Sequence, residues 1–332
     1  MSVSPESERR TISPGHVPVM TETMLSLIAP RDGGVYVDGT FGGGGYSRAL
    51  LEAASCTVYG IDRDADALSA GQALSVRFDG RLILLHGRFS EMESLLAPHQ
   101  VSAVDGIALD LGLSSLQLDD GARGFSFRLD GPLDMKMDQS DPGPTAADLV
   151  NNESEAELAA IISGFGEERR ARAIARAIVA ARADGPITGT GQLAEIVRRA
   201  VARRPRAGLD SATLTFQALR LRVNDEIFEI ERGLRQIERL LRPGGRAVVV
   251  SFHSLEDRPV KRFFRERSGG RQPNRHEPPA ATKSPDPTFR LLTRRARKPD
   301  GGEVSANPRA RSARLRAAER TSAPPWHERL VA

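Results

Sequence analysis

Acidic residues end three β-rich runs in the first third of the chain, and a glycine cluster follows the first of them. GVYVD ends at Asp38 and leads to glycines at 42–45 and a helix-prone stretch. CTVYGID ends at Asp62, RLILLHG is a third run, and VDGIALD ends at Asp110. Strands that alternate with helices predict βαβ units and a doubly wound, parallel α/β sheet.

The strand–helix alternation stops after Gly112 and returns near Thr215. Residues 115–215 are turn-rich and then helical, with Ser154 and Glu157 spaced as a capping box, which predicts an all-helical insertion. Apolar residues spaced by three or four from 216 to 241 predict one long amphipathic helix before the strand RAVVVSFHS. We therefore expect a discontinuous α/β domain at 16–114 and 216–320, a disordered lead-in at 1–15, a loop at 268–288 and a tail at 321–332.

Composition excludes several classes of protein. The 332 residues are 39% hydrophobic and 27% charged, and they contain no apolar run long enough to span a membrane. The polar start MSVSPESERR lacks the apolar stretch of a signal peptide, so we expect a cytoplasmic protein. The single cysteine, Cys56, excludes an internal disulfide and a multi-cysteine zinc site.

Charge is distributed unevenly along the chain. The formal net charge is +4, yet the residues from Arg258 onward hold 19 Lys and Arg against seven Asp and Glu. Basic clusters gain affinity for nucleic acid by releasing counterions from phosphates. The C-terminal quarter is therefore expected to contact a polyanion, unless its arginines only reflect genomic base composition.

The glycine turn and the strand-end acids together indicate a cofactor. A dinucleotide fold favours the spacing GxGxxG, but Ser47 stands where the third small residue belongs. Asp62 suits the ribose hydroxyls that NAD and S-adenosylmethionine share. Acids at Asp38 and Asp110 repel a pyrophosphate and attract the sulfonium and ammonium groups of S-adenosylmethionine. The pattern favours S-adenosylmethionine, with NAD and a purely structural turn as alternatives.

Five long segments match one family in the order that the family carries them. They are VDGTFGGGGYS (37–47), DGIALDLGLSSLQLDDGARGFSFRLDGPLDMKMD (105–138), TFQALRLRVNDE (215–226), PGGRAVVVSFHSLEDRPVKRFF (243–264) and NPRARSARLRAAER (307–320). Over residues 16–320 the chain resembles the RsmH family, also called MraW. The resemblance implies a Rossmann-like class I S-adenosylmethionine-dependent methyltransferase domain with an inserted helical substrate-recognition domain. It also implies methylation of the exocyclic N(4) of a cytidine in the P-site region of 16S ribosomal RNA.

Cofactor contacts follow from the resemblance, motif by motif. They fall on Gly44, Gly45, Tyr46, Asp62, Phe89, Asp110 and Gln117. Tyr46 stands where many members have His, and Leu214 stands where many have Arg before TFQALR. The first change is expected to be tolerated, and the second concerns how RNA is held.

Catalysis requires the acceptor nitrogen to lie in line with the methyl carbon. Asp110 is the first candidate to accept a hydrogen bond from the cytosine amino group, because it ends a strand where open α/β sheets bind ligands. Its alternative role is cofactor positioning alone, since residues 110–113 lack the Asn/Asp-Pro-Pro-aromatic motif of general amino-methyltransferases. Asn224 and His253 are further candidates, and each also suits a structural role.

RNA contacts are expected from aromatic and basic residues. A target base has to leave the RNA stack, so Phe125 and Phe127 suit either pocket walls or the core of the insertion. The basic candidates for phosphate contacts are Arg123, Arg128, Lys261, Arg262, Arg265, Arg309, Arg311, Arg314 and Arg316. The expected partner is 16S rRNA, within the 30S subunit, and the oligomeric state stays open.

Other functions account for parts of the sequence. An NAD-dependent dehydrogenase is disfavoured by the glycine spacing, and a non-catalytic ribosome-assembly factor by the retained Asp62 and Asp110. A methyltransferase for small molecules or proteins is disfavoured by the basic C-terminus. The six histidines are scattered, so no metal site is expected.

Overall fold

The chain forms two units. The computed structural model describes residues 18–201, 210–270 and 285–326. One unit comprises Met1–Gly112 and Glu229–Ala332, and the other comprises Leu113–Phe228. The helical unit therefore ends further along the chain than the boundary at 215 that the sequence predicts. The predicted lead-in, and parts of the predicted loop and tail, lie outside the described residues.

A seven-stranded sheet is the frame of the first unit in the described ranges. Its strands are β1 (Val35–Asp38), β2 (Thr57–Asp62), β3 (Leu82–His86), β4 (Val104–Asp110), β5 (Leu241–Ser251), β6 (Phe289–Leu291) and β7 (Arg314–Arg320). They lie in the order β3-β2-β1-β4-β5-β7-β6. The pairs among β1 to β5 are parallel, whereas β7 is antiparallel to both β5 and β6. The expected α/β sheet is confirmed, with one antiparallel strand that the sequence did not predict.

Helices account for most of the remaining described structure. They are α1 (Thr21–Ile28), α2 (Gly45–Ala53), α3 (Ala65–Arg77), α4 (Met92–Leu96), α5 (Ser115–Asp119), α6 (Ala146–Asn152), α7 (Glu155–Gly166), α8 (Ala171–Arg182), α9 (Thr190–Val201), α10 (Thr213–Val223), α11 (Glu226–Leu240), α12 (Ser254–Arg267) and α13 (Gly301–Ala306). Ser154 caps α7 by accepting a hydrogen bond from the Glu157 N–H. No helix in the described ranges has the length and apolar character needed to cross a membrane.

The central strands are apolar on both faces, as expected for buried parallel strands. Tyr36, Val58 and Val248 pack with apolar residues of α1, α2 and α3 in one core cluster. Val37 and Val249 alternate with them along β1 and β5 and are also buried. This burial on both sides holds the strand ends rigidly in register.

The predicted long helix from 216 to 241 is wrong, because the chain breaks it into α10 and α11. Asp225 has a φ of +51°, in the left-handed region that a right-handed helix does not adopt. The preceding Asn224 uses its side chain on neighbouring backbone, donating to the Met135 carbonyl at 2.7 Å and accepting from the Met137 N–H at 2.8 Å. Hydrogen bonds from the Asn224 side chain to backbone 87 and 89 residues away in sequence therefore override the apolar periodicity.

The second unit has an apolar core of its own. Helices α6 to α10 contribute residues such as Leu149, Ile162, Ile174 and Val197, each at most 2% exposed. Gly166 lets α7 pack closely on α10, because a Cβ at this position would lie 2.7 Å from the Leu214 carbonyl oxygen. The insertion is thus a folded body with its own hydrophobic stabilisation.

Candidate active site

Three carboxylates meet at one edge of the sheet. Asp38, Asp62 and Asp110 end β1, β2 and β4, which are parallel neighbours. Asp38 is in register with Gly60 of β2 and Ala108 of β4, so the three strands end at nearly the same level. Open α/β sheets bind ligands at this edge.

The glycine turn between β1 and α2 depends on backbone that only glycine adopts readily. Gly42 and Gly44 have φ angles of +50° and +70°. A Cβ on Gly44 would also lie 2.7 Å from Leu74 Cδ2 and 2.8 Å from Phe41 Cζ. The turn therefore presents bare backbone at the start of α2.

Asp38 and Asp62 fix this turn from two sides. Asp38 Oδ2 accepts hydrogen bonds from the Ser47 N–H at 3.0 Å and the Ser47 hydroxyl at 2.8 Å. Asp62 Oδ2 accepts from the Gly42 N–H at 2.7 Å, and its Oδ1 accepts from the Asp64 N–H at 2.9 Å. Burial raises the pKa of Asp38 to about 6 and raises the pKa of Asp62 as well.

A hydrogen bond fixes the backbone of Asp110, whereas the surroundings of its carboxylate differ from those of Asp38 and Asp62. The Asp110 N–H donates to Thr40 Oγ1 at 2.6 Å. Within the described part of the chain, Asp110 Oδ1 is a buried atom that has no hydrogen-bond partner. Burial, together with the negative charges of Asp38, Glu256 and Glu303, raises the pKa of Asp110 well above its usual range.

Glu256 and His253 at the start of α12 adjoin this edge. Glu256 is fully buried, and its Oε2 accepts from the Phe252 N–H at 2.7 Å. His253 Nδ1 accepts from the Glu256 N–H at 3.4 Å, and His253 Nε2 lies 3.0 Å from Glu256 Oε1. A Cβ on Gly112, which follows β4, would lie 3.8 Å from Glu256 Oε1. His253 thus has the structural role of a helix cap, while its catalytic role stays a prediction.

The carboxylates at this edge fit a cofactor that carries positive charge. A buried carboxylate oxygen without a donor is costly unless a ligand supplies a proton donor or positive charge. Asp110 Oδ1 is such an atom, and the neighbouring Asp38, Glu256 and Glu303 add negative charge around it. This edge suits the sulfonium and ammonium groups of S-adenosylmethionine and opposes a pyrophosphate. Among the described residues, no group of three or more His, Cys, Asp and Glu is placed to hold a metal ion.

Phe89 follows β3 and is 8% exposed. A Cβ on Gly233 of α11 would lie 2.3 Å from Phe89 Cδ2, and one on Gly39 would lie 3.1 Å from Phe89 Cβ. The absence of both side chains lets α11 and the end of β1 pack closely on Phe89. The predicted cofactor contact at Phe89 stays a prediction, and the position adjoins the turn after β1.

Tyr46 is joined to a segment that the sequence analysis did not single out. The Tyr46 hydroxyl donates to the Val19 carbonyl at 2.6 Å, and a Cβ on Gly45 would lie 2.4 Å from Pro18 Cγ. Burial raises the pKa of Tyr46 well above its usual range. Pro18 and Val19 therefore cover the start of α2, a contact between residues 27 apart for which periodicity gives no signal.

Gln117 and Asn224 lie in the helical unit and carry structural hydrogen bonds. Gln117 is 4% exposed, and it forms a capping box with Ser114 at the start of α5. Asn224, also 4% exposed, joins α10 to the backbone at Met135 and Met137. These bonds favour the structural reading of Asn224, and the cofactor contact at Gln117 stays a prediction.

Arg123 does not suit the phosphate contact that the sequence analysis predicted. The residue is 4% exposed, and its Nη2 donates to the carbonyls of Lys136 and Met137 at 3.1 and 2.7 Å. Because the guanidinium donates to these buried carbonyl groups, Arg123 stabilises the loop that carries Lys136 and Met137. Arg128 is exposed and stays a candidate.

The two phenylalanines differ in their surroundings. Phe125 is 7% exposed and belongs to the core of the helical unit, as the alternative interpretation had it. Phe127 is partly buried and packs edge-on against Phe216, with ring centroids 4.9 Å apart. Arg198 lies over the Phe127 ring at 5.6 Å. Phe127 is therefore the better candidate for contact with a base.

The C-terminal arginines fall into two groups. Arg309, Arg311 and Arg314 are exposed and stay candidates for RNA contact. Arg316 lies on β7 inside the sheet, and its guanidinium binds Asp257 with two bonds, at 2.6 and 2.9 Å. The expectation of a phosphate contact at Arg316 is therefore corrected, because its charge is already matched in a site where both side chains are about 10% exposed.

Comparison with known proteins gives concordant matches. A model of the MraW methylase family matches residues 13–321. A relative named Ribosomal RNA small subunit methyltransferase H, from Rhodospirillum centenum, is 59% identical over 309 residues, covering 93% of each chain. Relatives of the same name from Paramagnetospirillum magneticum and Rhodospirillum rubrum are 54% and 55% identical and cover 97% and 96% of their own lengths. The glycine turn and all three strand-end acids lie within the matched residues, and the chain belongs to the MraW methylase family.

Proposed function

We propose that this protein methylates the exocyclic N(4) amino group of a cytidine in the P-site region of 16S rRNA, with S-adenosylmethionine as methyl donor. The observation that carries the proposal is the buried Oδ1 of Asp110, which has no hydrogen-bond partner among the residues that the structure describes and lies beside the glycine turn and the other strand-end acids. The names of the relatives support ribosomal RNA as substrate. The choice of N(4) and of the P-site region rests on the family resemblance.

Residues around the glycine turn would hold the cofactor. We assign Asp62 to the ribose hydroxyls, and the lone pairs that remain support this assignment, because each Asp62 oxygen has only one protein donor among the described residues. Asp38 acts through Ser47, which it fixes at the first turn of α2. When bound, S-adenosylmethionine supplies a methyl group activated by the sulfonium. The protein's task is alignment of the acceptor with that methyl carbon.

Asp110 is assigned to the amino group of the cytidine. Its Oδ1 accepts a hydrogen bond from one N(4)–H, which directs the nitrogen lone pair toward the methyl group. N(4) loses one proton when it gains the methyl group, and Oδ1 accepts that proton. Burial and the neighbouring negative charges raise the pKa of Asp110, so its carboxylate is a stronger proton acceptor than that of a solvent-exposed aspartate. A cation bound at the same edge favours the ionised carboxylate before transfer.

The substrate is assigned to the assembled 30S subunit in the cytoplasm. Within the helical unit, Phe127 is a partly buried aromatic ring that suits stacking on an RNA base. Exposed arginines at 309, 311 and 314 supply charge for backbone phosphates.

Purified protein incubated with radiolabelled S-adenosylmethionine and 30S subunits from a strain deleted for this gene tests the proposal. We expect label in N(4)-methylcytidine after nucleoside analysis of the rRNA. Naked 16S rRNA serves as the second substrate and decides between free RNA and assembled subunits. Label on another nucleoside would overturn the N(4) assignment, and binding without any label would favour an assembly factor that does not catalyse.

A further inference from the structure

A positively charged cleft lies between α12, β6 and β7 in the first unit. It has a volume of about 60 Å³, room for a few waters or one phosphate group. Its polar lining includes Lys261, Arg265, Arg294 and Arg316, and Phe264 contributes an apolar wall. No carboxylate is among the described residues that line it.

Some cations of this region are paired with carboxylates, whereas three that line the cleft are not. Arg316 binds Asp257, and on the same helix Arg262 and Arg267 pair with Glu231 and Glu238 at 2.6 and 3.0 Å. The three others at the cleft have no carboxylate within ion-pair distance among the described residues. They are Lys261, Arg265 and Arg294, and all three are exposed.

Helix geometry directs two of these cations to the same place. Lys261 and Arg265 are four residues apart on α12, so their side chains share one face. Glu256, which adjoins Asp110, lies five residues before Lys261 on the same helix. At 1.5 Å per residue, the cleft begins about 7.5 Å along α12 from the catalytic edge.

We propose that this cleft binds a backbone phosphate of the RNA strand that carries the target cytidine, close to the methylated nucleotide. The inference rests on the proposed function and deepens it. Two arginine forks and a lysine can donate to both non-bridging oxygens of a backbone phosphate, and the Phe264 wall reduces competition from water. A phosphate held here fixes the strand next to the extruded base.

The test compares RNA binding by the full-length Lys261→Gln/Arg265→Gln variant, the Arg294→Gln variant and the Arg239→Gln control. The control removes an exposed charge from the same unit, but one on α11 that is paired with Glu93. The probe is an RNA fragment of the P-site region, with its Kd measured over about 50–200 mM salt. We expect the double variant to bind RNA at least about fivefold more weakly and to lower the salt slope by about one. Affinity for S-adenosylhomocysteine stays unchanged in every variant.

The other outcomes overturn the proposal. An unchanged salt slope in both cleft variants, or an equal loss in Arg239→Gln, would show that the cleft binds no phosphate of the strand. Weaker binding to 30S subunits but not to naked RNA would assign the cleft to an acidic protein surface. If inorganic phosphate raises the melting temperature of the wild type but does not compete with RNA, the cleft is a site for small anions.

Two readouts keep these results separate from failure of the proposed function. Binding is measured without turnover, so a wild type that transfers no methyl group still reports on the cleft. If the double variant does not fold, as judged by thermal unfolding, Arg294→Gln alone decides, because that residue is exposed and outside the helix.

Discussion

The Asp38 carboxylate accepts two hydrogen bonds from one residue, the N–H and the hydroxyl of Ser47. Both residues are at most 1% exposed, so the pair joins the end of β1 to the first turn of α2 within the core. A glycine or alanine at position 47 would keep the close packing but lose the hydroxyl donor. The serine that breaks the dinucleotide spacing in the sequence is therefore a partner for the buried acid.

Asp38 gives folding stability a defined pH dependence. Its pKa is about 6 when folded, against 3.8 for the free side chain, so the folded state binds more protons between these values. Stability from this group is present below pH 4 and is lost as the pH rises through 6, by about 3 kcal/mol in total. We expect Asp38→Asn to flatten the fall in unfolding free energy from pH 4 to 6, measured by urea denaturation. Asp79→Asn, an exposed acid with positive φ, is the control and keeps the wild-type slope.

Asp62→Ala is expected to weaken cofactor binding by about tenfold or more, because it removes a ribose acceptor and the anchor of the Gly42 N–H together. Isothermal titration with S-adenosylhomocysteine measures the change. Asp66→Ala, an exposed acid four residues away, leaves the affinity unchanged. If Asp62→Ala binds as tightly as the wild type, Asp62 has neither role.

Asp110→Asn separates the two roles of that carboxylate. As proton acceptor, Asp110 supports a rate that rises with pH as the group ionises, and the amide loses this dependence. We expect kcat to fall by about 100-fold or more, while the Kd of S-adenosylhomocysteine changes by less than about fivefold. Single-turnover transfer from pH 5 to 9 measures both the rate and its profile. A collapse of cofactor affinity with kcat preserved would assign Asp110 to the cofactor alone.

The strand–helix alternation could be predicted from the sequence because buried parallel strands are continuous apolar runs. In this chain, acidic residues end three of these runs. Asp38, Asp62 and Asp110 were placed correctly at strand ends from the sequence. Their partners were not predictable: Tyr46 with Val19 and Ser47 with Asp38 join residues through space and leave no periodic signal. Contacts of this kind depend on the packed fold.

Polar side chains explain the errors elsewhere. Apolar spacing across 216–241 favours a continuous helix, but Asn224 and Asp225 break it through side-chain bonds and a left-handed backbone. Likewise, charge composition cannot show that the guanidinium groups of Arg123 and Arg316 are hydrogen-bonded to the Met137 carbonyl and to Asp257. Exposure of a cation is decided by its neighbours in space.

Asn224→Ala tests the structural reading of that residue. The substitution leaves the Met137 N–H and the Met135 carbonyl without their partners in a buried site. We expect the free energy of unfolding to fall by about 3 kcal/mol, with cofactor affinity retained below the melting temperature. Asn224→Asp keeps the acceptor for the Met137 N–H but sets a carboxylate oxygen against the Met135 and Arg220 carbonyl oxygens, so it does not recover the loss. A stable Asn224→Ala protein with a large loss of kcat would instead make Asn224 catalytic.

Arginines close together near the C-terminus are expected to act differently. Charge reversal at Arg311 and Arg314, both exposed, raises KM for the RNA substrate and lowers the salt dependence of RNA binding, with cofactor affinity unchanged. Arg316→Ala instead leaves Asp257 buried and unpaired, which costs about 3 kcal/mol of stability. Thermal unfolding and RNA titration on the same preparations measure the contrast. RNA affinity that is lost in Arg316→Ala at full stability would restore the phosphate contact, whereas loss of stability alone places that arginine among the residues that hold β7 against α12.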